Sequence, residues 1–452
     1  MLAPHCRAIE VVDLRHEAGV AADFLRPETD LVCISVNWER DLDFVREQIR
    51  AIPAGMLTVV GGRHATELPE KWLAECPNID ILVRGDGEET IAELAQGRPL
   101  ESIAGISYRR DGGLVHNPNR HVGPIRDDLY PDRRLRRYRY ELDFEGAGTG
   151  ITFDTLAGSR GCPFHCRFCS FNLNPWGEKR AYSARSPESV VEELAGMEAQ
   201  VVGFTDDVFT HDVDRVEAIC DLLIQRGIRK RYLVNSRLEI ARRMDVVRKM
   251  ERAGFVGLLL GVESAQDKTL AAMNKGFNTA GIEKHLRSLR RTRMILHGYF
   301  ILGCVGETEA EMREIAPFAR RVGLDTLGLS PLRSVPHDGL RKLVAESTSY
   351  HVSPEGFVYS DQISRERLRE IRRLIWRRFY TPAHILGLAW KILSGGLVTP
   401  GLIARLLLAG IRGDRARRAR KRSADGAPRP ARGTGLPPAD AGAGPRRTTS
   451  AQ

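Results

Sequence analysis

The order of apolar and polar residues divides the chain into regions of different character. Short apolar runs alternate with amphipathic segments over residues 8–120 and again over residues 152–332, and this alternation stops after Leu332. Strands that alternate with helices predict an α/β fold with parallel sheets. The predicted domains are residues 1–117, a Pro- and Arg-rich linker at 118–150, residues 151–332, a helical region at 333–411 and a disordered basic tail at 412–452.

The first region predicts a doubly wound, Rossmann-like sheet. Its predicted strands cover residues 8–14, 31–36, 57–60 and 79–83, its predicted helices residues 41–51, 69–76 and 88–94, and a hairpin follows at 105–108 and 114–116. In such sheets, ligands bind outside the carboxyl ends of the strands. Gly61, Gly62 and Gly85 fall at those ends, where a missing side chain lets a bulky ligand approach the backbone.

Six further strand–helix units follow. Their predicted strands cover residues 151–156, 201–205, 231–235, 256–262, 295–302 and 326–329, and their predicted helices residues 187–196, 215–226, 244–253, 266–273, 279–290 and 309–322. Six units rather than eight predict an open, partial (β/α)6 barrel, with the functional residues at the carboxyl ends of its strands.

Polar residues occupy these strand ends. Asp206 and Asp207 follow the second strand, Ser236 and Arg237 the third, and Glu263 the fourth. Carboxylates and an arginine on one rim suit a zwitterionic, ribose-bearing ligand, although each residue alone could equally be a surface or helix-capping group.

Three cysteines follow the first strand of this barrel. Cys162, Cys166 and Cys169 have the spacing C-x-x-x-C-x-x-C, and Phe168 precedes the last of them. One loop of this spacing can wrap a cubane, so that each thiolate binds a different iron of a [4Fe–4S] cluster and the fourth iron stays open. A structural zinc site requires a fourth ligand, and His165 lies too close to the cysteines to complete a tetrahedron.

Residues 159–171 resemble the cluster-binding loop of the radical S-adenosylmethionine (SAM) enzymes. The resemblance implies that the open iron chelates SAM, whose cleavage gives a 5′-deoxyadenosyl radical. It also implies a set of SAM-binding residues, with the backbone around Phe168 at the adenine and Asp206 or Asp207, Ser236, Arg237 and Glu263 at the ribose and methionine parts.

The N-terminal region resembles the cobalamin-binding domain of class B radical methyltransferases, through V-V-G-G-R-H-A-T and I-L-V-R-G-D-G-E-E-T. The implied corrinoid-lining residues are Ser35, Gly61, Gly62, His64 and Gly85. The first strand and helix of that domain have no counterpart here, which leaves a truncated or misassigned start and an incomplete domain as alternatives. No D-x-H-x-x-G supplies a cobalt-binding histidine, and we interpret His16 as a surface residue.

The charge lies mainly at the C-terminus. The formal net charge is +10, and residues 412–452 contain 11 Lys and Arg against 3 Asp and Glu, which leaves the rest of the chain near neutral. This distribution argues against a nucleic-acid partner. Eight scattered cysteines, the oxygen-sensitive cluster expected for three of them and the lack of an apolar signal segment at residues 1–7 indicate the cytoplasm.

Residues 365–380 predict a helix with Leu368, Ile371, Leu374 and Ile375 on one face and seven arginines mostly off it, and residues 382–411 are richer in apolar residues. Lys391, Gly395, Pro400 and Arg405 interrupt the second segment, so no apolar run reaches the roughly 18 residues that a membrane span requires. Two interpretations remain open. The helices lie on the inner face of the cytoplasmic membrane with the basic tail against anionic lipid, or they form an ordinary helical subdomain on the barrel.

A finer resemblance, to the hopanoid C-3 methylases, covers about residues 8–410. It rests on residues 170–180 and on F-T-D-D-V-F-T-H-D, V-N-S-R-L-E-I-A-R-R and H-G-Y-F-I-L-G. It implies that one SAM methylates cob(I)alamin, that a second yields the radical that removes hydrogen from C-3 of a hopanoid ring A, and that a flavodoxin or ferredoxin supplies electrons. A radical cyclase, a methylase of another secondary metabolite and a non-catalytic iron–sulfur or cobalamin sensor are the alternatives.

Overall fold

The computed structural model describes residues 2–17, 19–37, 42–144, 147–169, 173, 179–334, 340–353 and 356–394. Of residues 170–180, which carry part of the hopanoid methylase resemblance, only Leu173, Lys179 and Arg180 are described. The helix predicted beyond Ser394 and the tail predicted at 412–452 lie outside the described residues.

The N-terminal domain contains one five-stranded sheet. Its elements are β1 (Leu31–Ser35), α1 (Leu42–Arg50), β2 (Leu57–Gly61), α2 (Arg63–Glu67), α3 (Pro69–Glu75), β3 (Ile81–Val83), α4 (Glu88–Ala95), β4 (Ile106–Arg110) and β5 (Gly113–His116). The strands lie in chain order; β1, β2 and β3 are parallel, and the hairpin β4–β5 continues the sheet antiparallel. Val59 and Val60 point into two different apolar clusters, so both faces of the sheet are covered.

The prediction of a strand at residues 8–14 is wrong. In the described part of this segment only Val11 forms a bridge, and its partner is Arg136 of the linker. A strand forms only where a neighbour satisfies its backbone groups, and β1 pairs with β2 instead. A doubly wound sheet has a point at which the strand order reverses. The described strands of this sheet lie side by side in chain order, so they show only one of the two winding directions.

The barrel sheet has seven strands. They are β6 (Glu141–Phe144), β7 (Ala147–Leu156), β10 (Val201–Phe204), β11 (Arg231–Ser236), β12 (Phe255–Glu263), β13 (Ile295–Leu302) and β14 (Thr326–Pro331), with β8 (Ser159–Arg160) and β9 (Ser183–Ala184) as a separate pair. Their order in the sheet is β14-β13-β12-β11-β10-β7-β6. All six predicted strands form and run parallel, and β6 is an additional antiparallel strand at one edge. The partial (β/α)6 barrel is therefore confirmed.

Helices cover the outer face of this sheet. They are α5 (Pro187–Gly196), α6 (Val213–Gln225), α7 (Met244–Ala253), α8 (Asp267–Ala272), α9 (Thr279–Leu289), α10 (Glu309–Arg313) and α11 (Ile315–Val322). The single helix predicted at 309–322 is divided at Glu314. Pro317 explains the division, because its ring has no N–H to donate and clashes with the carbonyl of Arg313.

The C-terminal region packs on the barrel. Its elements are α12 (Leu340–Ala345), β15 (Tyr350–Val352), β16 (Val358–Ser360), α13 (Arg365–Phe379) and α14 (Pro382–Ser394). Leu368, Ile371, Ile375 and Phe379 of α13 join the main apolar core of the barrel. The short hairpin β15–β16 was not predicted. Within the described residues, no helix is both long and apolar enough to cross a membrane.

Candidate active site

The three cysteines lie in residues 161–169, which we call the cysteine loop. This loop begins directly after β8, at the carboxyl edge of the barrel. Cys162 is buried, and Cys166 and Cys169 are partly exposed. Burial raises the pKa of the Cys162 thiol. The described residues contain no group of three His, Cys, Asp or Glu side chains arranged around a single metal ion.

Two predicted SAM ligands instead support the start of this loop. Asp206 is fully buried and accepts hydrogen bonds from the Gly158 amide at 2.7 Å and the Ser159 hydroxyl at 2.6 Å. Asp207 accepts a hydrogen bond from the Gly161 amide at 3.1 Å. Burial raises the pKa of both carboxyl groups, that of Asp207 to about 6. Both residues therefore fix the backbone that leads into Cys162.

A buried arginine continues this support. Arg215 donates to the Gly158 carbonyl at 2.8 Å and to the Arg185 carbonyl at 2.7 Å. A methyl group at Gly158 would lie 3.1 Å from the Arg215 guanidinium and 3.2 Å from an Asp206 oxygen. Gly158 is thus enclosed by the two side chains that hold it, which leaves the loop little freedom to shift.

Arg237, predicted at the methionine part of SAM, lies directly against the cysteine loop. Its guanidinium carbon is 3.7 Å from the ring centroid of Phe164, which lies between Cys162 and Cys166. Glu239 accepts hydrogen bonds from the same guanidinium, at 2.9 Å for the shortest. Ser236 is buried, and its hydroxyl lies 2.8 Å from that of Thr210. The third strand end therefore brings a cation, but not an open hydroxyl, to the cysteine loop.

Glu263, at the fourth strand end, forms a buried ion pair. Its Oε1 accepts from Lys275 Nζ at 2.7 Å, and both side chains are more than nine-tenths buried. Glu263 has a φ of 71°, and the pairing between β12 and β13 shifts register beside it. A left-handed glutamate is strained, and such strain concentrates at functional sites. Lys275 also lies 5.6 Å from the ring centroid of Phe168, the predicted adenine neighbour.

The predicted corrinoid residues line the carboxyl edge of the N-terminal sheet, with one exception. Ser35 and Gly61 end β1 and β2, and Gly62 and Gly85 follow β2 and β3. Gly62 has a φ of 99°, and a methyl group there would lie 2.6 Å from the Val36 carbonyl oxygen. The Gly85 amide donates to Thr66 at 3.1 Å. The turn at Gly62 therefore requires a residue without a side chain, which leaves the backbone at this edge accessible to a ligand.

His64 is the exception. Its side chain is buried in the domain, and its Nδ1 accepts a hydrogen bond from the Trp72 indole at 3.0 Å. The His64 amide donates to the Val36 carbonyl at 3.0 Å. These contacts give His64 a role in joining α2 and α3 to the sheet, whereas an open position at the edge would be expected of a corrinoid contact.

The two carboxyl edges meet through ion pairs that were not predicted. Asp86, which follows Gly85, binds Arg160 at 3.3 Å and Arg180 at 2.5 Å. Arg160 also binds Glu88 of α4. Arg160 precedes the cysteine loop and Arg180 follows it, so a single carboxylate of the N-terminal domain is shared by both flanks of the loop. Asp86 lies in the quoted G-D-G-E-E sequence, but its partners are 74 and 94 residues away.

A further carboxylate lies after β13. Glu307 Oε2 accepts from the amides of Gly303 at 3.1 Å and Cys304 at 3.2 Å. Its Oε1 is buried and has no hydrogen-bond partner among the described residues. Burial raises the pKa of Glu307 to about 7. No role for Glu307 was predicted from the sequence.

Residues 156–319 match the profile of the family described as the Radical SAM superfamily. Similar proteins include an uncharacterized methyltransferase of Pyrococcus horikoshii (31% identical; 61% of this chain and 60% of that protein are covered), the anaerobic magnesium-protoporphyrin IX monomethyl ester cyclase of Cereibacter sphaeroides (28%; 57% and 43%) and the hopanoid C-3 methylase of Methylococcus capsulatus (27%; 59% and 50%). The chain thus spans between 43% and 60% of the length of these relatives.

The fold is also that of a solved structure, the radical SAM methyltransferase TsrM from Kitasatospora setae with cobalamin and a [4Fe–4S] cluster bound. That comparison has a TM-score of 0.60 at 18% identity and covers 78% of this chain and 79% of the other. Residues 156–319 therefore match a Radical SAM domain, and this match implies a [4Fe–4S] cluster and S-adenosylmethionine as cofactors.

Proposed function

We propose that the chain is a cobalamin-dependent radical SAM methyltransferase that methylates an unactivated carbon. The observation that carries this proposal is the direct contact between the glycine-lined edge of the N-terminal sheet and both flanks of the cysteine loop, through Asp86, Arg160 and Arg180. A methyl donor bound at one edge would then lie close to a radical generated at the other. The cobalamin and the [4Fe–4S] cluster named as bound in the TsrM structure support the same pair of cofactors.

The cluster with SAM supplies, when bound, a 5′-deoxyadenosyl radical that can remove a hydrogen atom too weakly acidic for general-base chemistry. The protein holds the three thiolates through the loop that Asp206, Asp207 and Arg215 fix. Arg237 lies beside Phe164, and the Lys275 ammonium group, which is paired with Glu263, lies beside Phe168. We assign Arg237 to the carboxylate of SAM, Glu263 to its ammonium group, and the Phe168 backbone to its adenine.

Cobalamin fits the N-terminal edge through backbone rather than through a cobalt ligand. Ser35, Gly61, Gly62 and Gly85 offer an edge of small residues at three adjacent strand ends. In this proposal His64 acts from behind the edge, because Trp72 holds its ring in the domain core. The protein then binds the corrinoid without supplying a histidine to cobalt.

For the substrate we propose a hopanoid, with methylation at C-3 of ring A, and a flavodoxin or ferredoxin as electron donor. The hopanoid C-3 methylase relative supports this substrate. The cyclase relative, of similar identity, favours a second candidate, a radical cyclase that shares the same cluster and SAM residues. Product analysis by mass spectrometry in a deletion strain separates the two. Loss of 3-methylhopanoids supports the first, and their unchanged persistence contradicts it.

The reaction class is tested on anaerobically purified protein. We expect about four irons and one corrinoid per chain, and cleavage of SAM to 5′-deoxyadenosine after reduction. Cys166→Ala should abolish the cleavage, whereas Cys6→Ala, far from the loop in sequence, should retain it. Protein that binds cofactors but never cleaves SAM would instead be a non-catalytic sensor.

A further inference from the structure

The helix α14 exposes an apolar face that no described residue covers. Ile385, Leu386, Trp390 and Leu393 lie on this face, which we call the α14 apolar face, and Leu386 and Trp390 are 71% and 72% exposed. Residues spaced by about four share one side of a helix. Large apolar side chains that remain exposed together usually mark an interaction surface.

The opposite face of α14 is fixed on the barrel. Lys391 Nζ binds an Asp325 carboxylate oxygen at 2.5 Å, and His384 Nε2 lies 2.9 Å from the Asp325 carbonyl oxygen. The His384 ring also packs against Phe379 at 4.4 Å between centroids. Asp325 immediately precedes β14, so α14 lies at the amino edge of the barrel, opposite the cysteine loop. The apolar face is therefore held outward by the contacts on its other side.

Positive charge surrounds this face in the sequence. The preceding helix α13 ends with exposed Trp376, Arg377 and Arg378. Residues 412–422, shortly after α14, contain seven Lys and Arg and one Asp. Tryptophans and aliphatic side chains next to arginines are typical of helices that lie in the interface of an anionic bilayer.

We propose that the α14 apolar face is a docking surface for an anionic lipid bilayer. A second copy of the chain fits less well, because four large apolar side chains are far fewer than the roughly 20–30 residues per partner of a stable dimer. Residues 412–452 are basic and polar, a composition suited to lipid headgroups. Residues 395–411, which directly follow α14, are rich in apolar side chains, so coverage of the face by the chain itself is an outcome that the experiment must separate from lipid binding. Docking in this orientation leaves the carboxyl edge of the barrel facing away from the bilayer.

Vesicle co-sedimentation of the full chain tests the proposal. We expect binding to vesicles of phosphatidylglycerol and phosphatidylethanolamine, weak binding to pure phosphatidylcholine, and loss of binding when ionic strength is raised. The affinity of the double variant Leu386→Glu/Trp390→Glu for these vesicles should be at least about 10-fold lower, because the inserted apolar side chains are replaced by negative charges that anionic lipid repels. Ile224→Glu on α6, a side chain 45% exposed elsewhere, is the matched control and should bind like the parent.

Two outcomes would overturn the proposal. If the parent chain does not bind anionic vesicles and the double variant lowers the thermal midpoint, the face is covered by the chain itself. If light scattering shows a dimer that the double variant dissociates, the face is a subunit interface. The milder Leu386→Ala/Trp390→Ala variant guards against misfolding and should lie between the parent and the glutamate variant in binding. All variants should cleave SAM like the parent, which separates this test from that of the catalytic proposal.

Discussion

The two carboxyl edges of the molecule are built in different ways. At the barrel edge, carboxylates accept hydrogen bonds from backbone amides, as the buried Asp206 does from Gly158 and the half-buried Asp207 from Gly161. At the N-terminal edge the turns depend on glycine, and the buried side chain His64 is engaged by Trp72. At the barrel edge, carboxylates thus hold the backbone in place, whereas at the N-terminal edge the backbone conformation depends on glycine residues. The two should therefore fail differently when residues are replaced.

The largest effect is expected at Asp206. Asp206→Ala leaves two buried donors without an acceptor and removes the negative charge near Arg215, which should lower the free energy of unfolding by about 3 kcal/mol or more. The cysteine loop should loosen as well, so iron content after anaerobic purification should fall. Thermal unfolding and iron analysis measure both. An unchanged iron content with lowered stability would show that Asp206 supports the fold but not the loop.

Glu307 provides a second test of the carboxylates at the barrel edge. One of its buried oxygens has no hydrogen-bond partner among the described residues. Its pKa is raised from 4.5 to about 7, so between these pH values the folded protein keeps a proton that the unfolded chain has lost. Stability should therefore fall as pH rises from about 4.5 to 7 and then level off. Glu307→Gln should remove this loss, with a gain of about 2–3 kcal/mol at pH 8 and little change at pH 4.5. Thermal melts at a series of pH values check it, and a constant difference across pH would contradict it.

At the N-terminal edge the expected weak point is Gly62. Gly62→Ala forces a left-handed alanine whose methyl group lies 2.6 Å from the Val36 carbonyl oxygen, at a cost of about 2 kcal/mol. Gly97→Ala is the matched control, because Gly97 also has a positive φ but open space around it. Gly62→Ala should reduce corrinoid content and leave iron content unchanged. Equal effects of the two substitutions would mean that the close approach at Gly62 is unimportant.

The smallest effect on stability is expected where the two edges meet. Asp86 is partly exposed, so Asp86→Asn should change the free energy of unfolding by less than about 1 kcal/mol. If the proposed function holds, the ratio of methylated product to cleaved SAM should still fall about 5-fold, the change in rate that 1 kcal/mol of misplacement produces. Asp128→Asn, at an exposed ion pair with Arg126, is a suitable control. A normal ratio in Asp86→Asn would show that these ion pairs do not align the two edges.

The sequence predicted the parts of the fold that repeat. Six barrel strands could be placed because apolar runs recur between amphipathic helices, and the cysteine loop because its spacing is specific. The strand at residues 8–14 was predicted from its apolar pattern alone, and that pattern carries no information about whether a neighbouring strand is present. The break at Glu314 was missed, although Pro317 could have indicated it.

Contacts between distant residues account for most of what the sequence could not give. Asp206 or Asp207 was predicted to contact SAM, and the sequence could not show that the Asp206 carboxylate accepts hydrogen bonds from Gly158 and Ser159, 48 and 47 residues away. Lys275 carries no recognisable signal, yet it neutralises Glu263. Strand ends tell which residues reach an edge, but not which of them satisfy each other there.

The sharing of Asp86 between Arg160 and Arg180 has a consequence for the modularity of the protein. The composition change near residue 118 predicts a linker, and a chimera would ordinarily be joined there. Such a chimera would keep both arginines but replace the carboxylate that binds them, and leave two cations beside the cysteine loop. An exchange of N-terminal domains should therefore keep residues 85–88 of the original chain together with its barrel. The segment that must be kept together thus extends across the predicted linker into the N-terminal domain.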